Sequence, residues 1–463
     1  MSANPTKTAP EKQKRFIYIV GFTAALAGLL FGVDIGVISG ALPFIKNTFH
    51  LTYNQEEFVV SAVLAGAVVG SVISGVVSRF LGRRQAILIS AVIFIIGALL
   101  SAAATSYEML VGIRIFLGIA LGLASFTAPL YLAEVAPKKI RGFLIALYQL
   151  MITIGILAAF ISDTLFSYID SWRWMLGVTM IPALIMFLAV LLMPRSPRWL
   201  MLRGNRDAAH EVLDRVRHSH EIKPELDEIH SSLQETTSAW DLLKNKTFVK
   251  VLLLGITFQL LQQITGMNTI MYYAPEIFKL AGFGSHEMQM WATVIVGLVN
   301  VLTTIVALFI VDRYGRRPVL FLSLTLMTLA MLVMSLMYYH GFTTTALQVA
   351  GVVVLLVFIF GFAIGMGPII WILCSEIFPL QGRDFGVAVT TTTNWVGNTI
   401  VGATFLTLIH NFGADGTFLI YGVICLLSLI YLFFVTPETK NVSLEKIQHN
   451  LLSGKKLRHL GEN

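Results

Sequence analysis

Twelve apolar stretches dictate what this chain can become. They run over about 16–41, 57–79, 86–104, 108–130, 142–165, 173–193, 248–281, 288–311, 318–339, 346–373, 384–409 and 416–436. Each is about 20 residues or longer, enough to cross roughly 30 Å of hydrocarbon as a helix. A backbone in hydrocarbon must satisfy its own hydrogen bonds, so such stretches fold as helices. Composition agrees: 56% of the 463 residues are hydrophobic and 13% are charged, against about 25% charged in soluble domains. The first stretch is too long for a cleaved leader, contains Asp34 and lacks a small-x-small cleavage pattern, so it reads as a span. Cys374 and Cys425 both fall in apolar stretches, where a disulfide framework is not expected.

The polar segment 194–247 divides the spans into six and six. The expected organisation is a tail at 1–15, a six-helix bundle at 16–193, a linker with short helices at 194–247, a second bundle at 248–436 and a tail at 437–463. Of the 33 Lys and Arg residues, 29 fall in one alternating set of connections and tails. Three (Lys46, Arg173, Lys279) fall in the opposite set, and Arg114 lies inside a span. By the positive-inside rule both termini and the linker are cytoplasmic. The net charge of +7 is thus a topology signal and not a nucleic-acid patch. The halves also repeat. Gly82-Arg83-Arg84 recurs as Gly315-Arg316-Arg317, and the Glu134-x6-Arg141 pair recurs as Glu376-x6-Arg383. A duplicated six-helix unit is a transporter architecture with a central site between its halves.

The polar residues inside the spans are the candidate machinery. Asp34 in the first span and Arg114 in the fourth are costly in hydrocarbon and face each other or water. One reading makes Asp34 a proton carrier; the other makes the two a permanent ion pair. In the seventh span, Gln259, Gln262 and Gln263 share a helix face, and Gly266 is a place for that helix to loosen before Asn268. Gln149, Asn300, Asn394 and Asn398 add amides, and Trp371 and Trp395 add flat apolar rings; Phe31 and Tyr272 are further aromatic candidates. Amides with tryptophan suit a neutral ligand with hydroxyls on its rim and C–H groups on its face. The plainer reading is that the amides join helices to one another. Gly365-Met366-Gly367-Pro368 is expected to break the tenth helix. Arg83, Glu134, Arg141, Arg198, Asp312, Arg316, Glu376 and Arg383 are expected to form a gating network of ion pairs at the cytoplasmic helix ends. No metal-ligand spacing, phosphate-cradling loop or nucleophile triad occurs, so neither cofactor nor enzymatic activity is expected.

These residues carry a resemblance that covers essentially the whole chain. Gly28-Leu29-Leu30-Phe31-Gly32-Val33-Asp34, Arg79 to Arg84, Glu134 to Gly142, Pro194-Arg195-Ser196-Pro197-Arg198, Gln262 to Asn268, Asp312 to Arg317, Trp371 with Ser375-Glu376, and Pro437-Glu438-Thr439-Lys440 resemble the motifs of the sugar porters of the major facilitator superfamily. The resemblance implies an all-α membrane fold of twelve helices in two bundles. It matches Gln149, Gln262, Gln263, Asn268, Asn300, Trp371, Asn394 and Asn398 to sugar-contacting positions, and Asp34 with Arg114 to the proton-coupling pair. Facilitative animal glucose carriers lack an acid at the position of Asp34, so its presence favours a symporter. A xylose-carrying member has glutamine where this chain has Ile156, which argues against a pentose. The family usually has an acid at the position of Arg195, so the first half's cytoplasmic cluster is expected to lack one acidic partner.

The expectation is a secondary active transporter that imports a hexose, galactose or glucose, with a proton by alternating access. The alternatives are an uncoupled facilitative carrier and a membrane sugar sensor. The expected partners are the sugar, the proton and, for the basic tail Lys455-Lys456-Leu457-Arg458, anionic membrane lipid. A single chain is expected to suffice, in a bacterial inner membrane.

Overall fold

The computed structural model describes residues 11–137, 140–234, 239–379, 382–440, 442, 446–447, 449–450, 453 and 455–460. In the first half, spans one to five are single helices: α1 (Glu11–Phe49), α2 (Tyr53–Leu81), α3 (Arg83–Ala102), α4 (Tyr107–Val135) and α5 (Arg141–Ser167). Span six is α6 (Trp172–Gly177) plus α7 (Met180–Leu191). The linker holds α8 (Pro197–Leu202), α9 (Arg206–Val216), α10 (Ser219–Gln234) and α11 (Ala239–Lys244). Span seven is divided into α12 (Lys246–Ile264) and α13 (Met267–Leu280). α14 (His286–Tyr314) and α15 (Arg316–His340) follow. Span ten is α16 (Thr345–Gly361) and α17 (Gly367–Glu376), joined by a π-helical turn, Phe362–Met366. The chain ends in α18 (Arg383–Gly402) and α19 (Phe405–Val435). Helix starts follow their caps: the Ser106, Ser285 and Thr344 hydroxyls accept the backbone N–H groups of Met109, Met288 and Leu347.

Three features differ from the sequence expectation. The glycine-proline stretch does not break span ten; it loosens it by one π turn. Span eleven is interrupted at Ala403–Thr404, and the break expected between spans eleven and twelve falls at Gly413, which has φ +71° inside α19. Among the described residues, eleven helices are long and apolar enough to cross a membrane by that measure alone, and α18 falls short. Its Thr390–Thr393 run, Asn394 and Asn398 lower its apolarity. Those residues are mostly turned inward, so α18, which is span eleven, completes the set of twelve and lines the interior.

Packing in the first half is set by glycine. Gly28, Gly32, Gly36 and Gly40 recur every four residues and give α1 one smooth face against α5. A Cβ on Gly32 would sit 1.9 Å from the Ile152 carbonyl oxygen. α2 and α4 meet the same way: a Cβ on Gly118 would lie 1.9 Å from the Val63 oxygen, and one on Gly66 would lie 2.1 Å from the Ile115 oxygen. Helices in lipid gain little from burying apolar surface, because lipid tails are equally apolar. Close backbone contact between small residues therefore drives their association. The outward faces carry large apolar side chains such as Val72, Phe80, Leu192 and Phe309.

The linker is pinned to the helix ends beside it. Arg217 is buried, pairs with Glu225 at 2.6 Å and donates to the terminal carbonyls of α4 at Val135 and Ala136. Those carbonyls have no partner within their own helix.

Replacing Gly118 by Ala is expected to lower stability by about 1–3 kcal/mol or more, because the obstacle is backbone that cannot swing aside. Gly112, on the same helix, has open space where a Cβ would go, so Gly112→Ala is expected to leave stability unchanged or slightly raised. Thermal unfolding of the two purified variants tests the pair; equal losses would refute the packing argument.

Candidate functional site

The break in span seven is built by local chemistry. Gly266 has φ +90° and closes against the ring of Tyr421, so no other side chain fits there. The Thr265 hydroxyl donates to the Gln262 carbonyl at 2.8 Å and the Thr269 hydroxyl to the Gly266 carbonyl at 2.5 Å. The first serves a carbonyl at the broken end of α12, and the second adds to the long bond of 3.4 Å that the Gly266 carbonyl accepts from the Ile270 N–H. The break sets α12 and α13 apart and turns the amides inward.

The amides form a chain. Asn394 donates to Gln259 Oε1 at 2.7 Å and to Gln262 Oε1 at 2.9 Å. Gln262 Nε2 donates to the carbonyls of Met366 at 3.0 Å and Gly367 at 2.8 Å. Gln263 donates weakly to Gln262 at 3.4 Å, and Asn268 donates to Gln263 Oε1 at 2.6 Å. Tyr272 donates to Asn398 Oδ1 at 3.1 Å. Thus α12, α13, the π turn and α18 meet at one polar seam. Phe31 of the first half lies against Trp395 of the second, with ring centroids 5.0 Å apart.

The remaining candidates hold their polar groups in reserve. Asn300 is buried on α14, while Gln149 on α5 and Trp371 on α17 are half-buried. Among the described residues, none of the three side chains hydrogen-bonds to the chain of amides. The polar candidates therefore divide into Gln259 and Gln262, which are committed to joining helices, and Gln149, Asn300 and the Trp371 indole, which are not.

Asp34 and Arg114 are both buried, at 5% and 1% exposure. They lie within range of each other's charge. Among the described residues they form no direct ion pair. Arg114 Nε donates instead to the Val59 carbonyl at 2.7 Å, and Asp34 Oδ2 and Arg114 Nη2 lack hydrogen-bond partners. The permanent-pair reading therefore does not describe this arrangement. Tyr272 lies within range of both charges from the opposite half.

A cavity of about 280 Å³ lies between the halves at the face opposite the basic loops. Ser39, Lys46, Glu56, Tyr272, Tyr273 and His286 are among its lining residues. Tyr272 and Tyr273 belong to its wall, and the amide chain does not.

At the basic face the two halves repeat a three-part cluster. Arg83 pairs with Glu134 at 2.7 Å, and Ser196 donates to the second oxygen of Glu134 at 2.5 Å. Arg316 pairs with Glu376 at 3.1 Å, and Thr439 donates to the second oxygen of Glu376 at 2.5 Å. Arg383 contacts the Phe378 carbonyl at 3.5 Å. Arg198 is half-buried, and the side chains of Arg141 and Asp312 lie outside the described residues.

Sequence reasoning missed several residues. Ser196 and Thr439 complete the two clusters, and each follows a proline by two positions. Glu438 caps α15, accepting the backbone N–H groups of Arg316 at 3.0 Å and Arg317 at 2.9 Å. Arg195 stands at the matching place in the first half, and no carboxylate among the described residues caps Arg83 and Arg84. Asp163, a further buried acid on α5, accepts from the Gly40 N–H at 3.2 Å.

The family model described as "Sugar (and other) transporter" matches residues 20–451. The chain is 51% identical to the galactose-proton symporter of Escherichia coli K12 over 98% of both chains. It is 47% identical to the arabinose-proton symporter of the same strain, over 97% of this chain and 96% of the relative. A structure of the E. coli xylose transporter in a partially occluded inward-open conformation superposes with a TM-score of 0.82. That match is 28% identical and covers 93% of this chain and 100% of the other.

Gln262→Ala is expected to destabilise the protein by at least about 1–3 kcal/mol, because two buried carbonyls and Asn394 lose their partner. Asn300→Ala and Gln149→Ala are expected to change unfolding temperature little. Similar melting of all three variants without sugar would refute the division into committed and uncommitted amides. Arg195→Glu is expected to add about 1 kcal/mol by restoring an acid at the start of α3; an unchanged or lower unfolding temperature would refute it.

Proposed function

Since the chain belongs to the sugar (and other) transporter family, we propose that it imports a hexose, galactose or glucose, together with a proton by alternating access. It is a carrier and not an enzyme. The first bundle, 16–193, and the second, 248–436, rock about a site between them. The linker 194–247 and the tails 1–15 and 437–463 lie in the cytoplasm of a bacterium, as the 29 basic residues on that face support. A single chain is the functional unit, and the tail cations Lys455, Lys456 and Arg458 face anionic lipid.

The sugar is held by Gln149, Asn300 and Trp371, with the remaining hydrogen-bonding capacity of Gln262, Gln263, Asn268, Asn394 and Asn398. Phe31 and Trp395 supply the apolar wall, and Tyr272 closes the site toward the cavity. Near-full-length similarity to sugar-proton symporters supports the substrate class.

The observation that carries the coupling is the position of Tyr272. It is on the second half, bonded to Asn398, and within range of the charges of Asp34 and Arg114 on the first. A proton on Asp34 removes a charge that hydrocarbon penalises and changes the field at Tyr272. Through Asn398 that change reaches the sugar groups. Protonation and sugar binding together then permit the two halves to switch, and either alone permits it less. The clusters around Glu134 and Glu376 are released and remade as the cytoplasmic face opens and closes.

One charge moved through 100 mV is worth about 2.3 kcal/mol. At about 1.4 kcal/mol per tenfold ratio, this drives about fortyfold accumulation before any pH gradient is added. Asp34→Asn is expected to abolish accumulation while leaving exchange of labelled sugar across the membrane measurable. Sugar-triggered alkalinisation outside cells or vesicles reads the coupling directly. Wild-type uptake without proton movement would overturn symport; concentrative uptake by Asp34→Asn would overturn the assignment of Asp34.

A further inference from the structure

Span eleven carries a break that the sugar site does not use. α18 ends at Gly402, the chain loosens at Ala403–Thr404, and a new helix begins at Phe405. The first N–H groups of that helix have no partner within it. In a membrane they need an acceptor.

The acceptor comes from the other half of the protein. Glu57 lies one turn into α2 and is 4% exposed. Its Oε1 accepts the backbone N–H of Thr407 at 2.7 Å, and its Oε2 accepts the Thr407 hydroxyl at 2.7 Å. A carboxylate at the start of a helix also meets the positive end of the helix dipole. The neighbouring contacts converge on the same break. Tyr273 donates to the Gly402 carbonyl at 2.8 Å, and Tyr53 of α2 stacks on His410 with centroids 4.6 Å apart. Gly402 itself faces Leu64 and Val60 of α2, where a Cβ would lie 3.0 Å from the Leu64 side chain.

We propose that Glu57 is a latch that closes the periplasmic face by capping the broken eleventh span from the opposite bundle. The latch rests on alternating access and on the orientation proposed above. When the halves part at that face, Glu57 withdraws and water takes over the exposed N–H groups of Phe405–Thr407. The closed state is thereby favoured until the loaded carrier switches. The break is thus a socket, and its plug sits 350 residues away in sequence. Glu57 is a positioning residue: it sets how the two states are populated and touches neither sugar nor the transported proton.

The test reads accessibility without sugar. Ser39 is buried in the wall of the cavity on that face. Ser39→Cys in a Cys374→Ser, Cys425→Ser chain is labelled with a membrane-impermeant maleimide added to intact cells. Glu57→Gln keeps the shape but removes the charge that strengthens both bonds, and its N–H₂ meets the Thr407 hydroxyl only if that hydroxyl turns to accept. It is expected to raise the labelling rate roughly five- to thirtyfold, the shift in equilibrium that follows the loss of that charge assistance. Thr407→Val removes the hydroxyl and keeps the backbone donor, and is expected to raise labelling less. In transport, Glu57→Gln is expected to lower the KM for external sugar and to reduce maximal uptake, a split that loss of folded protein alone would not give. Unchanged labelling in both variants, at parental unfolding temperature, overturns the latch. If Glu57→Gln is too unstable to assay, unchanged labelling of Thr407→Val overturns it. Because the labelling assay contains no sugar and follows no proton, the latch can fail while symport stands. A failure of sugar-driven proton uptake, conversely, leaves the labelling result to be read on its own.

Discussion

A backbone carbonyl or N–H inside hydrocarbon has to find a partner, and this protein places three of its helix breaks, all in the second half, where such partners are scarce. Each break is answered by side chains, from another element at spans ten and eleven and from beside the break itself at span seven. Gln262 spends both amide protons on the carbonyls of Met366 and Gly367 at the π turn of span ten. Thr265 and Thr269 serve the carbonyls at the break in span seven. Glu57 serves the start of the helix after the break in span eleven. These bonds fix where the chain can bend, so the interior face of the second half depends on them.

The two halves share a plan and differ in stiffness. In the first, α1 with α5 and α2 with α4 meet backbone to backbone through glycine, with nothing flexible between them. In the second, the matching interior is made of broken helices joined by amides. Backbone contacts resist sliding, whereas hydrogen bonds between amides can exchange one partner for another. A carrier that rocks one half against the other is well served by a rigid half bearing Asp34 and Arg114 and a more adaptable half bearing most of the proposed sugar contacts. The Arg–Glu–hydroxyl clusters at the basic face repeat the same plan in both halves. Arg195, opposite in charge to Glu438 at the matching place, marks where the halves have diverged.

Asp34 and Arg114 show what distance can decide. Each was conspicuous as an ionisable residue in an apolar stretch. Whether they formed a fixed pair depended on a few ångströms, and Arg114 turns out to donate to the Val59 carbonyl. Gln262 shows the converse: its place on a polar helix face pointed to ligand binding, while its two donors are engaged by the π turn. The helix-joining reading describes Gln259 and Gln262; the ligand-binding reading is the one proposed for Gln149 and Asn300.

Sequence alone determined the span count, and the expected division at 194–247, the charge asymmetry between connections and the candidate polar set were read from it as well. These follow from hydrophobic run length, helix periodicity and side-chain type, which are local properties. The kink at Gly266 was legible too, because glycine beside polar residues in a span has few other uses. The loosened π turn, the interruption at Ala403–Thr404 and the pairing of Glu57 with Thr407 were not. They depend on which helices lie side by side, and contacts between residues hundreds of positions apart leave no periodic trace in the chain. Tertiary structure alone decided which amides are committed, which acid lacks a partner and which half supplies the cap, because each outcome depends on a partner's distance and not on its identity.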